Sequence, residues 1–179
     1  MINKILATID DSDRSQAVFD TAVSLAQITR AKLILLHVLS EEDSDYPIVP
    51  THAYYSVLKG NDNDLLYHKF DEYERQQAEI LSGLTKKAIA VGVNAEYVQI
   101  SGTSGYEICE LAARWTADLI VVGSRGLKGL KEMFLGSVSN YVTHHAPCSV
   151  LMVRSDTDSA TYYVDLPHKK QTEINNNNR

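Results

Sequence analysis

Lys32-Leu-Ile-Leu-Leu-His-Val-Leu39 is nearly continuous in apolar side chains. A strand wetted on one face alternates apolar and polar residues, so a run without alternation reads as a central parallel strand buried on both faces. Upstream of it, Val18, Ala22, Leu25 and Ala26 form an apolar stripe at helical spacing. Earlier still, Lys4 to Ile9 is a short apolar run closed by Asp10-Asp-Ser12, which suits a buried strand handing over to a helix. Ser12 or Asp11 is placed to cap that helix, because a side-chain oxygen there accepts bonds from its first free N–H groups.

Downstream, Glu41 to Asp64 is acidic, contains Pro47, Pro50 and Gly60, and has no clean period. It reads as a long surface loop (41–63) with a short helix near Tyr54 to Leu58. Leu65 to about Val91 reads as a long amphipathic helix, with Leu66, Phe70, Tyr73, Leu81, Leu84 and Ala88 on one side. Ala95 to Ile100 is a strand with loose alternation. Ser104-Gly-Tyr-Glu107 reads as a capping box opening a helix whose inward residues are Ile108, Leu111, Ala112 and Trp115. Asp118 to Val122 is a short buried strand ending at Gly123. Gly136-Ser-Val-Ser-Asn-Tyr-Val opens another helix, Pro147 ends it, and Cys148 to Arg154 forms the last strand. Residues 155–179 are polar and finish in asparagines, the composition of a disordered tail. Strands alternating with helices imply right-handed crossovers and a parallel sheet covered on both faces. Such sheets bind small ligands beyond the carboxyl ends of strands, where the strand order reverses. Two positions at the ends of predicted strands therefore merit scrutiny, Ile9-Asp10 and Val122-Gly123.

With 179 residues, 44% hydrophobic and 22% charged, the chain suits one domain with a sizeable core and excludes collagen-like or wholly disordered classes. Seventeen basic against 23 acidic residues leave a net charge of −6 and no concentrated basic block, so a nucleic-acid partner is not expected. Cys109 and Cys148 form no CxxC or Cys/His metal spacing and read as buried thiols in a reducing compartment. The N-terminus turns polar before a signal-peptide core could develop, and no apolar run approaches the roughly 20 residues of a membrane span. The expectation is a cytoplasmic protein with no membrane partner.

The segment that carries chemistry is Gly123-Ser-Arg-Gly126-Leu-Lys-Gly-Leu-Lys-Glu-Met-Phe-Leu-Gly136-Ser137, between a buried strand and a helix start. Gly123 lacks a Cβ, so a flat ring or ribose can approach its backbone. Gly126 can take positive φ and turn successive N–H groups into one concavity. At Gly136-Ser137 the unpaired N–H groups and positive dipole end of a helix favour a phosphate. Arg125, Lys128 and Lys131 add local positive charge. Together the pieces describe a polyphosphate cradle, although glycines after strands also serve tight turns and Ser137 also suits a helix cap.

That segment resembles the nucleotide-binding signature of the universal stress protein family, G-x2-G-x9-G-[ST], through Gly123, Gly126, Gly136 and Ser137 with both gaps of the right length. Asn3-Lys-Ile-Leu-Ala-Thr-Ile-Asp10, Leu35-Leu-His-Val38, Ala117-Asp-Leu-Ile-Val-Val-Gly-Ser124 and Pro147-Cys-Ser-Val-Leu-Met-Val153 are similar to family strands, so the resemblance covers residues 1–154. It implies an α/β, Rossmann-like fold of the adenine nucleotide alpha hydrolase-like type: an open five-stranded parallel sheet of order 3-2-1-4-5, helices on both faces. It further implies that Asp10 reaches ribose or adenine, with Thr8 in the neighbouring contact position, where some ATP-binding members have proline. Val38 would offer backbone groups to the adenine edge. Gly123, Ser124, Arg125, Gly126, Leu127, Lys128 and Gly129 would wrap ribose and phosphates, and Ser137, Val138 and Ser139 would hold the terminal phosphates. Mg2+ or Mn2+ bridging the phosphates would offset charge. The family also implies a homodimer through the last strand (148–154).

From the residues alone, Asp10 equally suits a cap of the first helix. His37 suits a hydrogen-bonded core histidine, and His144-His145 suits a helix end. The chain lacks G-x4-GK[ST], GxGxxG after a strand, and GxSxG, which argues against a P-loop NTPase, a dinucleotide dehydrogenase and an α/β-hydrolase. With no water-activating base evident, binding is better supported than turnover. The expected function is a regulatory protein that binds ATP, AMP, cyclic AMP or another adenine nucleotide and signals to a protein partner. The alternatives are slow ATP hydrolysis or autophosphorylation, with Ser137, Ser139 and Thr143 as acceptors, and a nucleotide-free dimeric interaction module.

Overall fold

The computed structural model describes residues 1–10, 12, 15–40, 46–47, 63–124 and 136–154. Along them run β1 (Lys4–Thr8), α1 (Ser15–Thr29), β2 (Lys32–Leu39), α2 (Asn63–Ala90), β3 (Ala95–Ser101), α3 (Ser104–Trp115), β4 (Leu119–Gly123), α4 (Ser137–His145) and β5 (Ser149–Val153). The strands form one sheet in the order β3-β2-β1-β4-β5. Every pairing in it is parallel, with Ala7 opposite Leu35 on one side and Val121 on the other. The expected fold class and strand order are both found. The short helix expected at 54–58, most of the 41–63 loop and the tail from 155 lie outside the described residues.

The lack of alternation in β2 has the cause inferred from its sequence, because each face of the sheet carries its own core. Ile5, Ala7, Leu33, Leu35, Leu119 and Val121 face α1 and α2, packing with Val18, Ala22 and Leu81. Leu6, Ile34, Leu36, Val38, Ile120 and Val122 face α3 and α4, packing with Ile108, Ala112 and Val142. Neighbours in one strand thus serve opposite cores. β3 is an edge strand and is half-buried or exposed throughout, which explains its loose alternation. In α2, Tyr73, Leu81 and Ala88 are buried as expected, together with Gln77 and Thr85, two polar residues the apolar pattern did not include. Tyr46 lays its ring edge-on to Phe70 and Tyr73, at 5.5 and 5.9 Å.

One local expectation is corrected. Ser104 is the first residue of α3 rather than its cap; Thr103 holds the cap position without a side-chain bond, and the Ser104 hydroxyl donates to Ser40 Oγ at 3.0 Å. The capping box therefore does not form, and the Glu107 side chain lies against Gly102 instead. The Ser12 hydroxyl donates to the Asp10 carboxylate at 2.5 Å, and the residues directly before α1, 13 and 14, lie outside the described residues. Asp11, the alternative cap, lies outside the described residues.

The amino ends of β1 and β4 are joined by Asp118. Its Oδ2 accepts the N–H of Asn3 at 2.7 Å and of Lys4 at 2.9 Å, and these bonds hold its carboxyl below the usual carboxylate range. Lys4 Nζ donates to Trp115 O and Thr116 Oγ1, both at 2.8 Å. A carboxyl lowered by folding contributes stability that is complete above its unfolded pKa and is lost as pH falls through the folded value. Asp118→Asn should flatten the acid limb of a thermal-melt series, so that wild type and variant converge as pH drops; parallel curves would contradict this role.

Helix α1 turns into β2 through Arg30, an exposed residue at φ 59°. The equivalent turn after α2 uses Gly92 at φ 86°, which has no Cβ to crowd the following carbonyl. A left-handed residue with a Cβ costs about 1–2 kcal/mol, part of which glycine returns through its freer unfolded chain. Arg30→Gly should therefore stabilise by about 0.5–1 kcal/mol in urea unfolding; a loss of stability would contradict this.

Candidate functional site

The sheet changes direction between β1 and β4: from β1 the chain moves outward to β2 and β3, then crosses to β4 and β5. Helices leaving these two neighbours diverge to opposite faces, which opens a cleft at their carboxyl ends. A cavity of about 70 Å³ lies there, open to solvent. Thr8, Asp10 and Val38 line it, as do Gly123 and Ser124 from the end of β4. Gly136, Ser137, Val138 and Ser139 complete that side at the start of α4. Nine candidate residues, separated by up to 131 positions in sequence, are thus walls of one cavity. Arg125, Gly126, Leu127, Lys128 and Gly129 lie outside the described residues.

Asp10 organises the β1–α1 turn. Its Oδ1 accepts Ser12 N–H at 3.0 Å, and Ser15 Oγ lies 2.6 Å from both Asp10 Oδ1 and Asp10 O. The Asp10 N–H in turn donates to Ser15 Oγ at 2.8 Å. Asp10 thus shapes the turn before α1 and also lines the cleft. Thr8 Oγ1 donates across to Val121 O at 3.4 Å. Ser124 closes the other side through its N–H and hydroxyl, both to Val153 O, at 2.9 and 3.2 Å.

Ser15, Ser104 and Ser137 are the first residues of α1, α3 and α4, and all three line the cavity. Three positive helix ends therefore converge on one cleft. Neither α3 nor α4 carries a side-chain cap bond, and Gly136, the cap residue of α4, has no side chain with which to make one. First-turn N–H groups of a helix otherwise seek water or an anion. Ser139 is buried, and its hydroxyl donates to Gly136 O at 3.1 Å. A Cβ on Gly123 would meet Val18 Cγ2 at 3.4 Å, an ordinary contact, so packing alone does not demand glycine there. Ser15 and Ser104 were missed in the sequence reading; the available signal was a serine shortly after each strand of a parallel unit.

Other candidates fall into structural roles. His37 is buried with Nδ1 2.8 Å from Ile9 O. His144 and His145 place Nδ1 2.8 and 2.9 Å from the carbonyls of Asn140 and Tyr141. Burial pushes the Cys109 thiol up, helped by Cys148 and Glu110; burial and Asp118 do the same for Cys148. Raised thiols are weak nucleophiles at neutral pH. Among the described residues no cluster of three or more His, Cys, Asp or Glu could hold a metal ion, and none of their helices is long and apolar enough to cross a membrane.

Residues 1–154 match the family model described as Universal stress protein family. Universal stress protein YxiE of Bacillus subtilis is 38% identical over 154 residues, covering 86% of this chain and all of that one. The solved universal stress protein UspA from Lactobacillus plantarum superposes with a TM-score of 0.67 at 25% identity, covering 86% of this chain and 98% of its own. A universal stress protein solved in complex with cAMP gives 0.54 at 25% identity, covering 85% and 96%. On the matched sequence and the shared fold together, the chain belongs to the universal stress protein family.

Proposed function

We propose that this chain binds an adenine nucleotide, ATP first among them, at the carboxyl ends of β1 and β4, and that a protein partner reads its nucleotide state. The observation that carries this reading is the convergence of three helix N-termini, two without side-chain caps, on a cleft flanked by Gly123 and Gly136. The cleft gives the two ends of a nucleotide different surroundings. Val38 and Ile108 provide apolar walls for a base, and the Val38 backbone meets its edge. Asp10 faces the ribose. Phosphates lie at the start of α4, where Ser137, Val138 and Ser139 offer backbone N–H groups, the Ser139 hydroxyl being engaged with Gly136 O.

A cavity of about 70 Å³ is smaller than an entire nucleotide needs. The family signature assigns the remaining ribose and phosphate contacts to Arg125, Gly126, Leu127, Lys128 and Gly129. No lysine or arginine lines the described part of the cavity. Mg2+ or Mn2+ would ride on the phosphate oxygens rather than on a protein cage. The cAMP complex of a relative supports the adenylate class, and AMP or cAMP are the competing ligands. The protein acts in the cytoplasm as a homodimer joined along β5, where Met152 is exposed at the sheet edge. Binding rather than turnover is the better reading, since no described side chain stands in the cleft as a base beside the phosphates. Slow hydrolysis or autophosphorylation at Ser137 would appear as ADP release or a mass increase after incubation with ATP and Mg2+.

ATP at 100 times its dissociation constant should stabilise the chain by about 2.7 kcal/mol, read as a rise in melting temperature. Gly136→Val, folded by circular dichroism, should lose at least tenfold in calorimetric affinity, about 1.4 kcal/mol. An unchanged melt with every adenine nucleotide would refute the reading, and unchanged affinity in the variant would remove the phosphate role from α4. Asp10→Ala should weaken adenosine binding more than tripolyphosphate binding; equal losses would leave Asp10 a purely structural role.

A further inference from the structure

The α1–β2 and α2–β3 turns lie side by side at the amino ends of β2 and β3, the edge of the sheet away from the cleft. Gln27 Nε2 donates to Val91 O at 2.8 Å, the Leu33 N–H donates to Asn94 O at 2.9 Å, and Lys32 pairs with Glu96 at 2.7 Å. Large apolar side chains on these turns stand in solvent. Ile28 is 81% exposed, Ile89 54% and Val91 52%. Single exposed aliphatic residues are ordinary, but a group of them on adjoining turns marks a contact surface.

The charge around them has one sign. The chain carries 23 acidic residues, yet none falls within 21–40 or 80–95, the two stretches that contain these turns. Lys86 shares the helical face of Ile89, three residues on, and Arg30 follows Ile28 by two in the other turn. Arg30, Lys86 and Lys87 are exposed, and none of them forms an ion pair among the described residues. Glu96, at the start of β3, is already held by Lys32. Lys87, in the last turn of α2, also suits the negative end of that helix. That role accounts for a cation at a helix end and leaves the exposed isoleucines unexplained.

We propose that this patch docks an acidic protein segment, one that presents large apolar side chains among carboxylates. Ile28, Ile89 and Val91 cover the apolar anchors, while Arg30, Lys86 and Lys87 take the flanking carboxylates. Charge complementarity selects this occupant over an anionic bilayer. A bilayer is an extended charged surface and meets the field of the whole molecule, whose net charge is −6. A short segment sits within a Debye length of the local cations, about 10 Å at ordinary ionic strength, and senses them instead. The inference stands on the amino edge alone and does not depend on a nucleotide in the cleft.

The test is an NMR titration of the full chain with a synthetic peptide in which leucines are set among glutamates. Saturable shifts are expected at the methyls of Ile28, Ile89 and Val91, with affinity falling at least fivefold as salt rises from about 0.05 to about 0.5 M. Peptides with lysine for glutamate, or serine for leucine, should bind at least fivefold more weakly. The double variant Lys86→Gln, Lys87→Gln and the single variant Ile89→Ser, each folded by circular dichroism, should lose at least fivefold in affinity for the original peptide. Absence of saturable shifts at those methyls, equal binding of the lysine peptide, or unchanged affinity in either folded variant would overturn the proposal. Tighter association with phosphatidylglycerol vesicles than with the peptide would overturn it in favour of a lipid surface. Self-association that Ile89→Ser abolishes would overturn it in favour of a second copy of this chain.

Discussion

Parallel pairing is the constraint on which the rest depends. Once β1, β2 and β4 run side by side in the same direction, each must be followed by a connection returning over a face of the sheet. The helices in those returns start beside the strands' carboxyl ends, so their positive ends gather at one edge. In this chain that edge holds Ser15, Ser104 and Ser137, while Asp118 and Lys4 tie the opposite edge together through backbone bonds. The polarity of the fold thus divides the molecule into an edge that is internally satisfied and an edge with donors to offer.

Within the offering edge, Asp10 links fold to site. Its carboxylate gathers Ser12 and Ser15 into the turn that starts α1, and the same turn lines both the cleft on one face and a groove between α1 and α2 on the other. A change in what Asp10 contacts would be felt on both sides, because its partners belong to one hydrogen-bonded cluster. This arrangement suits a binding protein whose ligand state must be conveyed outward, since a ligand shifts a conformational equilibrium only through contacts that differ between the two states.

Much of the architecture was legible in the residues because two-sided burial leaves a plain mark. The unbroken apolar run of β2 and the short runs of β1 and β4 could serve only a sheet covered on both faces, and the glycine-serine pair at 136–137 marked a helix start. Local capping was less legible. Ser104 and Glu107 have the spacing of a capping box, but that pattern cannot reveal that Ser40, sixty-four residues earlier, accepts the serine's hydrogen bond. Gln77 was invisible for a related reason. On a long helix with many exposed polar residues, burial of one glutamine depends on which helical face meets the sheet, a matter settled by tertiary packing rather than by its neighbours in sequence. Of the cavity lining, Gly123, Gly136, Asp10 and Val38 were legible in the sequence. Less so were Ser15 and Ser104, whose place in the cleft follows from the parallel layout and from no motif.

The central claim is that backbone donors at the start of α4 and the end of β4 hold the negative oxygens of an adenylate. The most direct measurement follows backbone amide resonances of the labelled chain as ATP is added. The account predicts saturating changes concentrated at Gly123, Ser124, Ser137, Val138 and Ser139, with Asp118 and the amino ends of the strands unmoved. Changes centred elsewhere in the chain, with those five amides silent at saturation, would contradict it.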